Sequence, residues 1–510
     1  MVSQIVFLRG IFYNAKMEAT SRPQRSMQPV NYVESSDSDQ SNDDDTQMEF
    51  LYDDGYNSAS SNDEVLPRPD KRPRTPAFKS AASTLQPYTI IDIPNVYQLY
   101  ILTTMPSFKL QDTNITTDPV KLYYKLFDSI ILFIYNSNVQ HYREYCANLI
   151  LNSKSTDPNF GVHFTPLLLQ DIYAFIGALY IMDVYKFPDI RMYWGLQSSL
   201  ITIKEIKDAI SYNKFINIKN SLGFEDPNTL FQMICTSCND IIGNSSELAV
   251  DEQLKKFKGR YAHKVTISQK PAGTGVKSFI IADSNTKLPC WYSIKGVGKS
   301  GLEFVNMNKY SSIAASLVAP YPNVTLFTDN LYTTQELHKW GQANQQKTVG
   351  TVRYNNLPKS LKPLYKAFKK DNCIPESCGV YKEAPIIELP TESYLVDGVY
   401  YIFVRDNGCF VMSCNSKDLF GKGKKMVLSK ANEEQRRRFN VTSYKINKIV
   451  PFVVALYNKK MNAVDLIDQL LSSHERQQRQ KKWTMAYAYT GLRTAETTAY
   501  TIYKMYLLFM

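Results

Sequence analysis

Histidine is scarce in this chain, five in 510 residues, and its eight cysteines are scattered. Cys146, Cys235, Cys238, Cys290, Cys373, Cys378, Cys409 and Cys414 share no framework spacing. That excludes a small disulfide scaffold and fits free thiols in a reducing compartment. Cys235-Thr-Ser-Cys238 is a single CxxC, and a four-ligand zinc site needs two further donors. After Cys414 the only Cys or His is His474, so no zinc module is expected. Long uncharged apolar runs are also missing. The longest apolar stretch, Leu167 to Tyr185, is interrupted by Asp171 and Asp183, which argues against a membrane span. Met1 to Gly10 has neither a basic start nor a small-residue cleavage site, so no secretory leader is expected. Met17 is an alternative start, since Glu18 onward reads as a polar tail. No internal repeat is visible.

What is present begins with charge. The net charge is +11, but Glu34 to Glu64 holds 11 acids and no Lys or Arg. Without that tract, 59 bases face 37 acids, a body of +22 that suits a polyanionic partner. Residues 1 to about 88 read as a disordered tail, rich in Ser, Asp, Asn and Pro. Within it, Arg68-Pro-Asp-Lys-Arg-Pro-Arg74 is a candidate nuclear import signal.

The hydrophobic period then divides the chain. Residues 89–245 read as helical. Thr165-Pro166 is expected to open a helix carrying Leu168, Ile172, Phe175, Ile176, Leu179 and Met182 on one face, and Thr202 with Glu205 resembles a capping box. From 246 to 355 strands dominate: Ser246–Asp251, Lys264–Ser268, a hairpin of Ser278–Asp283 with Leu288–Ile294, and Asn323–Thr328. Helices at Ser312–Ala319 and Thr334–Asn344 alternate with them, before a strand at Lys347–Arg353. The order predicts a mixed α/β sheet. Residues 356–447 read as a β-rich insertion, with strands Leu395–Arg405 and Cys409–Cys414 flanking Asp406-Asn407-Gly408. Lys422, Lys424, Lys425 and Arg436-Arg437-Arg438 make it basic. Residues 448–474 return to the core, with Ile449–Tyr457 as strand and Met461–Leu471 as helix. Residues 475–510 complete the helical part.

Four acids stand where a sheet-based metal site would place them. Asp251 is expected to end the first strand and Asp329 the fourth; Asp465 and Asp468 lie three apart on one helix face. Such hard oxygen donors suit Mg²⁺ or Mn²⁺. Two ions roughly 3.5–4 Å apart can activate the attacking oxygen of a phosphodiester and stabilise the leaving one. On spacing alone, Asp251 as a turn cap and Asp468 as a solvated helix residue remain open.

Several blocks together resemble the piggyBac transposase family: Ala249-Val-Asp-Glu-Gln-Leu-Lys-Lys-Phe-Lys-Gly-Arg260, Lys270-Pro271 followed by Phe279-Ile-Ile-Ala-Asp-Ser284, Phe327-Thr-Asp-Asn-Leu-Tyr-Thr333, Val349-Gly-Thr-Val-Arg353, and Tyr457-Asn-Lys-Lys-Met-Asn-Ala-Val-Asp-Leu-Ile-Asp-Gln469. Asp171-Ile-Tyr-Ala-Phe-Ile-Gly-Ala-Leu-Tyr180 and Tyr193-Trp-Gly195 extend the likeness over roughly residues 95 to 510. The resemblance implies an RNase H-like core of the DDE/D recombinases, interrupted by the insertion and preceded by a helical dimerisation and DNA-binding domain. It implies a catalytic triad at Asp251, Asp329 and Asp465, with a further essential aspartate at Asp468, holding Mg²⁺ or Mn²⁺. It implies cut-and-paste transposition: cleavage at transposon ends of double-stranded DNA, a hairpin on each end, and insertion at TTAA. Water would be the first nucleophile and a DNA 3′-hydroxyl the later one, with the protein a nuclear homodimer.

Lys255, Lys256, Lys258 and Arg260 follow the first aspartate and Arg476, Arg479, Lys481, Lys482 and Trp483 follow the last; each is a candidate DNA contact. Trp483 would wedge or stack against bases, or else pack at a helix start. Two departures bear on activity. The family's cysteine- and histidine-rich tail module is not found, and Asn462-Ala463 replaces a Gly pair. Three readings stay open: a metal-dependent transposase, a non-catalytic DNA-binding nuclear protein derived from one, and a structure-specific nuclease.

Overall fold

The computed structural model describes residues 119–153, 164–196, 202–224, 226–243, 245–268, 272–295, 307–371, 377–381, 384–406, 408–431, 433–439, 445–473 and 482–509. The acidic tract and the Arg68–Arg74 cluster lie outside them.

Helices come first: α1 (Pro119–Leu151), α2 (Leu169–Val184), α3 (Lys204–Ala209), α4 (Tyr212–Ser221) and α5 (Pro227–Ile242), with a 3₁₀ turn at Ile190–Trp194. Two expected starts are corrected. The α2 helix begins beyond Thr165-Pro166, because the Asp171 carboxylate accepts from the Leu168 N–H at 2.8 Å and fixes the first turn there. Thr202 caps nothing; its hydroxyl donates to the Tyr193 carbonyl at 3.3 Å, and α3 opens from Ile203 without a side-chain cap. The Tyr193-Trp-Gly195 block is structural. Both rings are buried, the Trp194 indole N–H donates to the Ile210 carbonyl at 2.8 Å, and Gly195 turns the chain at φ +69°.

Strands follow: β1 (Glu247–Lys256), β2 (Val265–Thr266), β3 (Thr274–Asp283) and β4 (Pro289–Ile294), then α6 (Lys309–Val318), β5 (Thr325–Thr328), α7 (Gln335–Ala343) and β6 (Lys347–Val352). A 3₁₀ turn at Tyr354–Asn356 leads to α8 (Leu361–Lys370), then β7 (Ser377–Tyr381), β8 (Ala384–Glu388), β9 (Thr391–Val396), β10 (Val399–Arg405) and β11 (Cys409–Cys414). The chain continues through α9 (Lys417–Phe420), β12 (Lys424–Lys430), α10 (Glu433–Arg438), β13 (Lys445–Pro451), α11 (Phe452–Lys460), α12 (Ala463–Ser473) and α13 (Trp483–Phe509).

The main sheet runs β2-β3-β1-β5-β6-β11-β10-β9, with β4 also on β3. Its centre, β1-β5-β6, is parallel, and the flanking pairs are antiparallel. The expected mixed α/β architecture is therefore present. A second sheet runs β12-β13-β8-β7.

Other expectations change. The β1 strand does not end at Asp251, because β3 pairs with it as far as Lys256↔Gly275. Leu395–Arg405 is two strands, since Asp397 (φ 51°) and Gly398 (φ 78°) make a tight turn that needs positive φ at both positions. Ile449–Tyr457 is not one strand: β13 stops at Pro451, and Phe452 begins a helix. The segment 356–447 does not stand apart, because β9, β10 and β11 extend the main sheet through β6 while β7, β8 and β12 build the second one.

Three of the cores set the layers. One joins α1, α2 and α5 to α13 through Phe127, Ile176, Leu230 and Leu492. A second lies on the sheet face of Ala249, Phe327 and Val349, covered by Val454 and Tyr457 of α11 and Val464 and Ile467 of α12. A third lies on the opposite face, where Leu248, Val250 and Leu326 meet α6 and α7. His338 on α7 belongs to the scaffold. Its two ring nitrogens meet Thr348 Oγ1 and Ser413 Oγ, each at 2.6 Å, and burial pushes its pKa down to about 3. No helix among the described residues is long and apolar enough to cross a membrane.

Candidate active site

The site grows from one parallel register. The β1–β5 ladder runs Glu247↔Thr325, Leu248↔Leu326, Ala249↔Phe327, Val250↔Thr328. One residue further along both strands stand Asp251 and Asp329. Neighbouring strands lie about 4.8 Å apart, so these two carboxylates emerge side by side at the carboxyl end of β5. Strand β1 continues and holds Asp251 in extended backbone opposite Ile280. Strand β5 stops, and Asp329 begins a turn instead. Its Oδ1 accepts from the Leu331 N–H at 2.9 Å, and its carbonyl accepts from the Thr333 N–H at 3.1 Å and the Thr333 hydroxyl at 2.6 Å. The turn folds back against Gly350 of β6, where a Cβ would sit 2.6 Å from the Thr328 carbonyl and overlap the Thr333 hydroxyl. That close approach is the physical content of the Val349-Gly-Thr block.

Alternation along β1 puts Asp251 on the face of Ala249 and Gln253, the face that α12 covers. Asp468 of α12 meets that face directly, because Gln253 donates an amide hydrogen bond to its Oδ1. Asp465 lies one turn earlier on the same helix. The register thus brings Asp251 beside Asp329, and helix packing lays Asp465 and Asp468 over the same strand. Among the described residues, no group of three or more His, Cys, Asp or Glu side chains is placed to hold a metal ion. The single cluster of four expected from the sequence is therefore present as two pairs on one face. The donor chemistry still fits a hard divalent cation, because both pairs offer carboxylate oxygen and neither offers sulfur or imidazole.

Electrostatics separate the pairs. Burial, then the Glu252 charge, raises the Asp329 pKa to about 6, while the Leu331 and Tyr332 N–H groups and Arg353 oppose the rise. Arg353 sits beside that turn, its Nε 3.0 Å from Asn330 Oδ1. Glu252 points to the other face of β1, where it accepts from the Tyr332 hydroxyl at 3.0 Å and pairs with Lys277 at 3.6 Å. Burial, with Glu252, Asp251 and Asp329 adding to it, holds the Tyr332 phenol protonated.

The cationic candidates separate too. Lys256, Lys258 and Arg260 are exposed beyond the first aspartate. Lys255 is not a surface contact: burial, then Arg493, pushes its pKa down to about 7, while Asp183 and Asp468 pull it back up. Lys482 is exposed; Arg476, Arg479 and Lys481 lie outside the described residues. Trp483 packs on Tyr261, with ring centroids 4.4 Å apart, and on Tyr487 at 6.3 Å. Cys235 and Cys238 are buried thiols, and burial raises the pKa of Cys238 to about 12.

Four groups escaped sequence reasoning. Gln253, Tyr332 and Gly350 sit inside motif blocks that were read only for their charges. Lys460, buried at the end of α11, ties that helix to Glu247 at the start of β1.

A family model described as Transposase IS4 matches residues 118–499. The chain is 22% identical over 341 residues to the human PiggyBac transposable element-derived protein 3, covering 63% of this chain and 53% of that protein. The same identity links it to the human chimeric ERCC6-PGBD3 protein, covering 63% of this chain and 30% of the relative. The chain thus spans about half or less of the length of these curated relatives. Its fold is similar to that of a piggyBac transposase solved in a synaptic complex with hairpin DNA, at a TM-score of 0.55 and 18% identity, covering 77% of this chain and 76% of that one. With the family model spanning most of the folded residues, this chain belongs to the Transposase IS4 family and is of the piggyBac type.

Proposed function

We propose that the chain is a DNA transposase that cuts and rejoins phosphodiesters at paired transposon ends and inserts at TTAA. Asp251, Asp329 and Asp465 would hold Mg²⁺ or Mn²⁺, with Asp468 supporting them, on an RNase H-like core. The observation that carries this reading is the β1–β5 register, which sets Asp251 beside Asp329 on the face that α12 covers. When bound, the cations would supply the charge that activates the attacking oxygen and steadies the leaving one.

The chain's own residues do the rest. Asp251 is fixed by a strand and Asp329 by a hydrogen-bonded turn, so neither must be ordered when the substrate arrives. Asp465 and Asp468 ride on α12 and close on that pair. Arg353 offsets the charge around Asp329. Lys256, Lys258 and Arg260, exposed beyond Asp251, take phosphates of the duplex, as do Arg476, Arg479, Lys481 and Lys482 after α12. Trp483, braced by Tyr261, stacks on an unpaired base where the duplex opens. The helical part with α13 pairs two copies on two DNA ends, and the protein works in the nucleus.

The test is Mg²⁺- or Mn²⁺-dependent nicking of a duplex carrying the inverted repeats that flank the gene, compared with Asp329→Asn. We expect nicking by the natural chain, none by the variant, and equal DNA binding by both. Equal nicking by both would reject the assignment. The division of the four carboxylates into two pairs favours one alternative, a DNA-binding nuclear protein derived from a transposase. It predicts tight DNA binding without nicking at any cation concentration.

A further inference from the structure

Gln253 stands between the two carboxylate pairs. It is 4% exposed, lies two residues beyond Asp251 on the same face of β1, and donates its amide N–H to Asp468 on α12. Its carbonyl oxygen, Oε1, is buried and accepts no hydrogen bond. The orientation of the amide is fixed by charge: reversing it would set two oxygens against each other. Asp468 therefore forces the oxygen of Gln253 to remain the free end. A buried carbonyl without a donor is rare, because its desolvation goes uncompensated. It is also a hard, neutral oxygen donor within one amide's width of the Asp468 carboxylate.

Resting on the reading above, we propose that Gln253 is a positioning residue with two ends, its nitrogen clamping Asp468 over β1 and its oxygen meeting the divalent cation or a water bound to it. The amide joins strand to helix at the point where α12 must bring its acids to the β1–β5 pair. A neutral oxygen also serves better there than a fifth carboxylate, since it adds no repulsion to four negative groups.

Mn²⁺ alone, titrated into the full chain by calorimetry and electron paramagnetic resonance without DNA, tests this. Gln253→Met keeps the length and removes both polar ends; Mn²⁺ affinity is expected to fall about tenfold or more. Gln253→Glu keeps an oxygen and loses only the donor, so it should stay within a few-fold of the natural chain. If Gln253→Met does not fold, Gln253→Asn, which draws the amide back by one methylene, carries the same expected loss. Unchanged Mn²⁺ affinity in Gln253→Met, with only its melting temperature shifted, would overturn the inference and leave Gln253 a packing residue. No Mn²⁺ binding by the natural chain would instead overturn the metal reading itself.

Discussion

Asp183 and Arg493, 310 residues apart in sequence, meet through two parallel hydrogen bonds, Nε to Oδ2 at 2.7 Å and a terminal nitrogen to Oδ1 at 2.8 Å. Their side chains are 6% and 11% exposed. The pair locks α13 to α2, and Tyr180 beside it donates to the Leu492 carbonyl at 2.9 Å while sharing a 2.8 Å hydrogen bond with Tyr123 of α1. Three helices distant in the chain are thus held by polar contacts inside an apolar core.

Breaking this pair from one side leaves an uncompensated buried charge. Asp183→Ala is expected to cost about 3–5 kcal/mol, read as a fall in melting temperature. Replacing both partners by apolar residues, Asp183→Leu with Arg493→Met, should recover most of that loss. A double variant as unstable as the single one would mean that the pair contributes through packing shape rather than charge.

Glu496 shares this core. Burial, then the Asp183 charge, raises its pKa to about 8, and Arg493 acts against the rise. The folded chain therefore holds a proton that the unfolded chain releases near pH 4.5, so stability should fall as pH rises from there toward 8. Glu496→Gln removes this slope. Its advantage is expected to be negligible at pH 4.5 and on the order of a few kcal/mol above pH 8. Parallel stability curves for the two proteins would show that Glu496 titrates normally.

Much of this was legible in sequence, and the misses share a cause. Period-2 and period-3.6 patterns locate Thr274–Asp283 and Lys309–Val318 closely because each buries one face against a local partner. The continuation of β1 past Asp251 was not legible. It depends on β3, and Glu252, Lys255 and Lys256 do not advertise a strand. The helix at Phe452–Lys460 was misread because Ile449–Tyr457 is apolar throughout, and an apolar run carries no period. Asp397-Gly398 did advertise its turn and was passed over. The aspartates were found by resemblance, but their division into two pairs is a matter of sheet register and helix packing, which residue spacing does not encode.

Asp329 separates chemistry from stability. Its pKa stands near 6 because burial and Glu252 disfavour the charge. An acid whose folded pKa is raised penalises folding progressively between about pH 4 and pH 6, and the penalty stays constant above that. Asp329→Asn keeps an oxygen for the Leu331 N–H and removes the charge. The variant should therefore be at least as stable as the natural chain at pH 7.5, with the gain vanishing toward pH 4, while it loses Mn²⁺ binding. A less stable variant at pH 7.5 would assign Asp329 a structural role.

Gly350 tests the same turn from behind. It pairs with Thr328 on one side and Ser413 on the other, so its backbone is held from both flanks. An added Cβ would stand 2.6 Å from the Thr328 carbonyl and 2.7 Å from the Thr328 hydroxyl, besides overlapping Thr333. The neighbouring residue, Asp329, must move if Thr328 moves. Gly350→Ala is expected to cost about 1–3 kcal/mol and to weaken Mn²⁺ binding with it, whereas Asp329→Asn loses binding without instability. Thr333→Ala should not rescue it, because removing the hydroxyl leaves the Thr328 carbonyl in place. Full rescue would show that the side chain alone limits the space, and that the strand end holding Asp329 tolerates displacement.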